Sequence, residues 1–163
     1  MIIRMLLVSA LAFLTACAMQ AEDPRIGWEA LQDGDFEKAV EVWQPLAERG
    51  DARAQTNLGT MYSKGDGVEQ DEQVAVEWFS KAAEQGFAPG QHALGLMYAN
   101  GQGVEQDFVT AYAWLALAAV QNNEGSREAL DIASEDMSAE EISAAQALSR
   151  EYYEKYVLPY QNN

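Results

Sequence analysis

The chain repeats itself with a period of 36 residues. Residues 50–85 align without a gap on residues 86–121, and 18 of the 36 positions are identical. Such self-similarity predicts a stack of like units, because a unit of this size cannot bury its apolar face alone and must pack on a neighbour. The identical pairs include Leu58/Leu94, Gly59/Gly95, Tyr62/Tyr98, Gly65/Gly101, Asp71/Asp107 and Trp78/Trp114.

Each unit has the pattern of two helices joined by a glycine-rich turn. Apolar residues in the first half of a unit recur at the spacing of one helical face, as Ala54, Leu58 and Met61 do. A turn with two glycines follows in both units, and Asp71 and Asp107 are placed to cap the second helix with their carboxylates. We therefore expect a helix–turn–helix in each of the units 50–85 and 86–121.

Gly59 and Gly95 lie inside the predicted first helices. Glycine costs about 1 kcal/mol relative to alanine at such a position. Its presence in both units predicts that a neighbouring helix approaches the backbone there too closely to leave room for a side chain.

The repeat register fades toward both ends of the chain. Residues 25–49 keep part of it and are predicted to form an N-terminal half-repeat and cap, with a first helix around Ile26, Trp28 and Leu31 that pairs with residues 35–49. Residues 122–163 are predicted to form a C-terminal helical cap, made of a short helix near 127–134 and a long one over 139–156. Ser138 and Glu141 have the spacing of a capping box, which predicts where the long helix begins. Degenerate ends are expected of a stack, because its terminal faces meet water.

The pattern carried by residues 54–83 is A-x-x-x-L-G-x-M-Y-x-x-G-x-G-V-x-x-D, followed by A-x-x-W-x-x-x-A-A. It resembles the Sel-1-like repeat, a helix–turn–helix relative of the tetratricopeptide repeat. The resemblance implies an all-α fold, an α/α solenoid of helix–turn–helix repeats closed by a C-terminal capping helix. It also implies an adaptor function in protein assemblies, some of them at the bacterial envelope.

The first 18 residues have the pattern of a secretory signal peptide. One arginine precedes an apolar run that is shorter than the about 20 residues of a membrane-spanning helix. Two cleavage interpretations stay open: residues 14–17 resemble a bacterial lipobox, in which Cys17 would be lipidated, or cleavage follows Ala18. Residues 19–24 are then a short tether. Ala18 after the cysteine resembles lipoproteins passed to the outer membrane, so we expect the periplasm of a Gram-negative bacterium.

The charge of the chain argues against nucleic acid as a partner. Ten Lys and Arg stand against 26 Asp and Glu, a formal net charge of −16. Binding to nucleic acid or to anionic lipid draws its affinity from cationic side chains. We therefore expect a protein partner, with membrane association only through the possible lipid on Cys17.

Few residues in the chain could carry catalysis. There is one cysteine and one histidine, so a disulfide and a metal centre built from cysteines or histidines have too few members. Glu69 and Asp71 recur as Glu105 and Asp107, which favours a structural role, since a catalytic acid is needed only once. We predict no catalytic residue, no metal site and no cofactor, and we take His92 for a surface residue.

The face of the first helices that points away from the second helices is the candidate binding groove, since repeat stacks use such a face. We expect partner contacts from Arg53, Asn57, Thr60, Ser63, Lys64, His92, Leu96, Ala99 and Asn100.

The principal hypothesis is a non-catalytic interaction scaffold of the cell envelope. Two alternatives stay open: a periplasmic enzyme-like or ligand-binding protein that acts on cell-wall fragments, and a permanent structural subunit of a larger envelope complex. The first alternative comes from relatives with disulfide-rich repeats, whose repeat cysteines this chain lacks.

Overall fold

The computed structural model describes residues 23–135 and 137–160. In this part of the chain all regular structure is helical, with eight α-helices and a closing 3₁₀ turn, Leu158–Tyr160. The all-α class predicted from the repeat is confirmed. The α-helices are α1 (Pro24–Asp33), α2 (Phe36–Glu48), α3 (Ala52–Lys64), α4 (Glu72–Glu84), α5 (Ala88–Asn100), α6 (Phe108–Val120), α7 (Glu124–Ser134) and α8 (Ala139–Tyr156).

Helices α1 to α7 pack on one another in chain order, as in an α/α solenoid. First helices of neighbouring units also touch, α3 with α5 and α5 with α7. Because α3, α5 and α7 begin at equal steps of 36 residues, at Ala52, Ala88 and Glu124, helix α7 takes the first-helix place of a third unit. It starts three residues before the predicted boundary at 127, since the Asn123 side chain caps its N-terminus.

Helices α1 and α2 form a complete helix pair. Gly27 of α1 meets the ring of buried Trp43, in the way that Gly59 meets Phe79 one unit later. The turn at residues 34–35 is much shorter than the turn at 65–71, which takes α1 out of the 36-residue register. The predicted pairing of a first helix with residues 35–49 is therefore present, with a shortened turn between the two helices.

The close approach predicted at the helical glycines is present in both units. A Cβ on Gly59 would lie 2.7 Å from the Phe79 ring, and a Cβ on Gly95 would lie 2.7 Å from Leu115 Cγ. Both would also lie 3.2 Å from a backbone carbonyl oxygen of the second helix. Glycine is retained because the two helices of a unit pack backbone to side chain at these points.

Local capping sets the helix boundaries that the sequence predicted. The Asp71 carboxylate accepts from the backbone N–H of Gln73 and Val74, each at 3.0 Å. Asp107 accepts from the N–H of Thr110 at 3.1 Å. The Ser138–Glu141 capping box is present at the start of α8, so the predicted bounds 139–156 are confirmed.

The turn glycines Gly67 and Gly103 lie at contacts between neighbouring units. Gly103 has φ +67° and lies against the backbone of Glu72, at the start of the preceding unit's second helix. Gly67, with φ +73°, lies in the same way against the backbone of Phe36. A side chain would be excluded at both places by the backbone conformation and by the neighbouring chain.

Substitution of Gly103 by alanine tests this contact, with Gly34→Ala as the matched control. Gly34 also has positive φ, at +77°, but no atom lies within 4 Å of its Cβ position. We expect Gly34→Ala to lower the free energy of unfolding by about 1–2 kcal/mol, the cost of the left-handed conformation. Gly103→Ala should cost a further ~1–3 kcal/mol, because the neighbouring helix must move. Urea unfolding followed by circular dichroism measures both, and equal losses would refute the inter-unit contact.

Helix α8 leaves the solenoid order and packs back on α6. Trp114 of α6 lies with its ring centroid 4.6 Å from that of Tyr152 and 5.3 Å from that of Tyr156. Helix α6 is accordingly apolar on nearly all sides, as expected of a helix covered by several neighbours. All four charged positions of α4 are apolar in α6: Glu72, Glu77, Lys81 and Glu84 correspond to Phe108, Ala113, Leu117 and Val120.

Leu117→Lys should detach the capping helix. Leu117 is only 2% exposed, and the change recreates the lysine that α4 carries at the equivalent position. We expect the free energy of unfolding to fall by about 2–5 kcal/mol, the usual cost of losing a buried leucine. The reciprocal Lys81→Leu should change it by less than about 1 kcal/mol. Hydrogen exchange should show lost protection in α8 for Leu117→Lys alone, and retained protection would contradict this account of the cap.

Candidate functional site

The predicted groove residues lie on two adjacent helices. Five of them belong to α3 and four to α5, and these two helices contact each other. Arg53, Lys64 and Asn100 are exposed, and the other six are half-buried. We refer to the surface formed by these nine residues as the α3–α5 face.

Side-chain hydrogen bonds within each repeat fix the C-terminal ends of α3 and α5 to the turns that follow them. The Thr60 hydroxyl donates to the carbonyl of Thr56 in its own helix, at 2.9 Å. At the C-terminal ends of α3 and α5, the carbonyls of Ser63 and Ala99 accept from the side-chain amides of Gln70 and Gln106, at 2.9 and 2.7 Å. Because these amides come from the following turn in each repeat, the two helix ends are fixed in the same way.

The α3–α5 face lies on helices that contain no carboxylate. Neither the 13 residues of α3 nor the 13 of α5 include Asp or Glu, although the chain has 26 such residues. The flanking first helices differ, since α1 carries Glu29 and Asp33 and α7 carries three acidic residues. The face is thus a neutral to weakly cationic strip on a strongly acidic molecule.

His92 differs from the expectation of a surface residue. It is half-buried, and its Nδ1 lies 2.9 Å from the Ser126 hydroxyl of α7. The position of a Cβ on Gly125 would be 3.6 Å from His92 Cε1, so α7 also covers the ring. The aligned Thr56 is half-buried too, because α5 lies beside α3 as α7 lies beside α5. Burial lowers the pKa of His92 below its ordinary 6.5.

The histidine–serine pair forms a joint between helices. Ser126 is fully buried, and its backbone N–H donates to the capping Asn123 side chain at 3.1 Å. A nucleophilic serine must reach a substrate, which a fully buried hydroxyl does not do. We therefore assign His92 to the packing of α7 on α5, at the edge of the α3–α5 face.

Two buried glutamines were missed by the sequence analysis. Gln91 is fully buried; its amide donates to the Ala83 carbonyl of α4 at 3.2 Å, and its oxygen accepts from Gln121 at 2.8 Å. Gln55 makes the same two bonds one unit earlier, with Ala47 and Gln85. The available signal was the identity of these glutamines in both units, on the otherwise apolar side of the helix.

Comparison with known proteins agrees with this architecture. The Sel1 repeat family model matches residues 52–87 and 88–123, the same period shifted by two residues from the predicted units. The crystal structure of a Sel1 repeat protein from Oxalobacter formigenes is 35% identical and superposes with a TM-score of 0.60. The alignment covers 75% of this chain and 97% of that protein. This chain belongs to the Sel1-repeat family.

Longer members of the Sel1-repeat family contain the same arrangement. The crystal structure of c5321, a protective antigen of uropathogenic Escherichia coli strains with an SLR fold, superposes with a TM-score of 0.81 and 36% identity. The match covers 90% of this chain and 33% of that one. Sel1 repeats typically serve as protein-interaction scaffolds.

Two curated relatives match over shorter segments. The alginate biosynthesis protein AlgK of Azotobacter vinelandii is 47% identical over 57 residues, which is 34% of this chain and 12% of AlgK. The exopolysaccharide production negative regulator of Rhizobium leguminosarum bv. viciae is 40% identical over 48 residues, 29% of this chain and 18% of that protein. The aligned segments are thus a small part of either relative's length.

An apolar groove lies at the C-terminal end of the Sel1 repeats. It has a volume of about 360 Å³ and is lined by α6, α8 and the 3₁₀ turn, including Leu117, Val120, Tyr153 and Leu158. Val120 is 63% exposed, so the groove opens to solvent.

Among the described residues, no three His, Asp or Glu side chains are grouped to hold a metal ion. No helix in the same residues has the length and apolar character to cross a membrane, and Cys17 lies outside them.

The stability of the α5–α7 joint should depend on pH. Because the folded-state pKa of His92 is lowered, protonation favours the unfolded chain, and stability is lost as the pH falls through 6.5 toward the folded-state value. His92→Gln removes this titration while keeping a side chain that can bond to Ser126. We expect the melting temperature of the wild type to fall relative to that of His92→Gln between pH 7.5 and 5.5. A constant difference across this range would show that burial of His92 is unimportant.

Proposed function

We propose that this Sel1-repeat chain is a non-catalytic scaffold of the bacterial cell envelope, and that it binds a peptide or protein segment on the α3–α5 face. The absence of carboxylates from α3 and α5, in a chain of net charge −16, carries the proposal. A carboxylate at an interface must be desolvated on binding, at a cost in free energy unless it is paired. A helix pair free of carboxylates is therefore the part of this surface best suited to cover a neutral or acidic segment.

The side chains of the α3–α5 face match the needs of an extended polypeptide. The Asn57 and Asn100 amides can bond to a peptide backbone, since each offers two donors and an acceptor oxygen. Half-buried Leu96 offers an apolar contact. Arg53 and Lys64 lie near opposite ends of α3, roughly 16 Å apart along its axis at 1.5 Å per residue, and can each pair with a carboxylate.

The envelope setting rests on the N-terminal signal and on the curated relatives. The signal pattern of residues 1–18 directs export, and a lipid on Cys17 would hold the scaffold at the outer membrane. The two curated relatives are named for alginate biosynthesis and for regulation of exopolysaccharide production. We propose that this chain serves an assembly of the same kind, concerned with material made or exported at the envelope.

A permanent structural subunit is the second candidate function. The apolar groove beside Val120 and Leu158 favours it, because an exposed apolar surface at the end of a stack is suited to an obligate interface.

A carboxylate placed on the α3–α5 face tests the scaffold. We expect Thr60→Asp and Leu96→Asp each to weaken partner binding by at least about tenfold, while Gln146→Glu, an exposed control on α8, leaves it unchanged. Tagged protein is crosslinked in envelope membranes and captured, and quantitative mass spectrometry compares the variants. Cys17→Ser should move the protein from the membrane to the soluble fraction.

The same capture separates the alternatives. Proteins held in stoichiometric amounts by the wild type and lost with both aspartate variants support the α3–α5 face. Retention of muropeptides without any protein would favour the ligand-binding alternative. Partners that survive both aspartate variants but are lost with Val120→Asp would favour the structural subunit.

A further inference from the structure

Two residues of the site where α8 packs on α6 recur one repeat earlier in the chain. On α6, Trp114 is covered by Tyr152 and Tyr156, which are four residues apart and so lie on one face of α8. The end of α8 reaches the turn before α5, where a Cβ on Gly86 would lie 2.5 Å from the Tyr156 carbonyl oxygen. The capping helix α8 therefore packs on a tryptophan of α6 and on a glycine of the turn between α4 and α5.

The equivalent residues one unit earlier are identical in type. Trp78 corresponds to Trp114, and Gly50 corresponds to Gly86. Trp78 is half-buried, with the Lys81 ammonium 3.8 Å from its ring centroid. No atom lies within 4 Å of the Cβ position of Gly50. One part of Trp78 packs on the core formed by the first helices, and Lys81 lies over its ring. In the described part of the chain no capping helix covers this copy of the site.

The open site on α4 differs from the filled one in charge. Ala113 and buried Leu117 are replaced by Glu77 and Lys81, both exposed. A helix docked on α4 therefore meets an acidic and a basic side chain beside the tryptophan, and exposed opposite charges on the incoming helix would pair with them.

We infer that α4 is a second docking site, which receives an amphipathic helix of a partner protein around Trp78 as α8 is received around Trp114. The occupant has two aromatic residues four positions apart, an acidic residue opposite Lys81 and a basic residue near Glu77. This site lies on a second helix and is separate from the α3–α5 face of the proposed function. Helix α8 indicates the chemistry of the occupant, because its side chains pack on the equivalent tryptophan and glycine, Trp114 and Gly86.

A peptide that copies α8 is the probe. It has the sequence of residues 139–160 with Tyr153→Glu, because Tyr153 lines the same groove as Leu117 and so would face Lys81 on α4. Titration calorimetry with the whole protein should show binding, and the control peptide that also carries Tyr152→Ala and Tyr156→Ala should bind at least ten times more weakly. Trp78→Ala in the protein should weaken binding by a similar factor.

A charge swap tests the site without touching its tryptophan. Lys81→Glu changes an exposed residue, and it should weaken the Tyr153→Glu peptide and strengthen a Tyr153→Lys peptide, each by at least threefold. The double variant Glu77→Ala/Lys81→Leu should bind the unaltered α8 sequence at least ten times more tightly than the wild type does.

Location and occupant are tested by a photo-crosslinker next to Tyr152 of the peptide. Crosslinks to α4 support the inference. Crosslinks to α6 alone would show exchange with the protein's own capping helix, and affinities unchanged by Trp78→Ala and Lys81→Glu would show that α4 is no site; either overturns the inference. A concentration-dependent dimer of the free protein that Trp78→Ala abolishes would overturn it too, since a second copy would be the occupant.

Binding that is lost with Thr60→Asp but kept with Trp78→Ala would place the peptide on the α3–α5 face. That outcome would overturn the α4 site and leave the proposed function standing. Failure of the α3–α5 variants to affect envelope partners would have no effect on this titration.

Discussion

A buried glutamine joins three successive helices at each step of the stack. The Gln91 side chain, on α5, bonds at one end to the backbone of α4 and at the other to Gln121, the residue that caps the C-terminus of α6. A buried amide is costly unless both of its ends are paired, so only one spacing of the three helices is acceptable. Gln55 imposes the same spacing one unit earlier. The contacts of the helical glycines and of the inter-unit turns depend on the helix spacing that these two glutamines determine.

Local signals were readable from the sequence, and contacts across units were not. The Ser138–Glu141 box, the Asp71 and Asp107 caps and the turn glycines act within a few residues, and the helices that they delimit are as predicted. The burial of His92 depends on Ser126 of α7, a helix outside both predicted repeats. For the α3–α5 face, the sequence predicts which side of the helices is open, but affinity depends on a partner whose surface is not encoded in this chain.

Differences between the two Sel1 repeats are as informative as their identities. Shared positions maintain the common packing, whereas Leu117 in place of Lys81 and Ala113 in place of Glu77 occur where α8 covers α6. The exposed, charged version on α4 indicates a surface that no described helix of this chain covers. The lack of carboxylates on α3 and α5 is a second local difference, since the chain as a whole is rich in Asp and Glu. In a repeat protein, such local departures from the pattern are the first places to look for recognition.

The capped α6 also restricts how such a chain can lengthen. A duplicated unit placed after α6 would need the surface that α8 occupies to be polar, and α8 would have to find a new tryptophan and a new glycine turn. A duplicated unit placed before residue 86 meets no such conflict, because α4 already has a polar outer face and each glutamine joint is made with the preceding unit. Growth of the array by insertion upstream of the last repeat therefore leaves the capped end intact, and engineered extensions of this protein should be placed there.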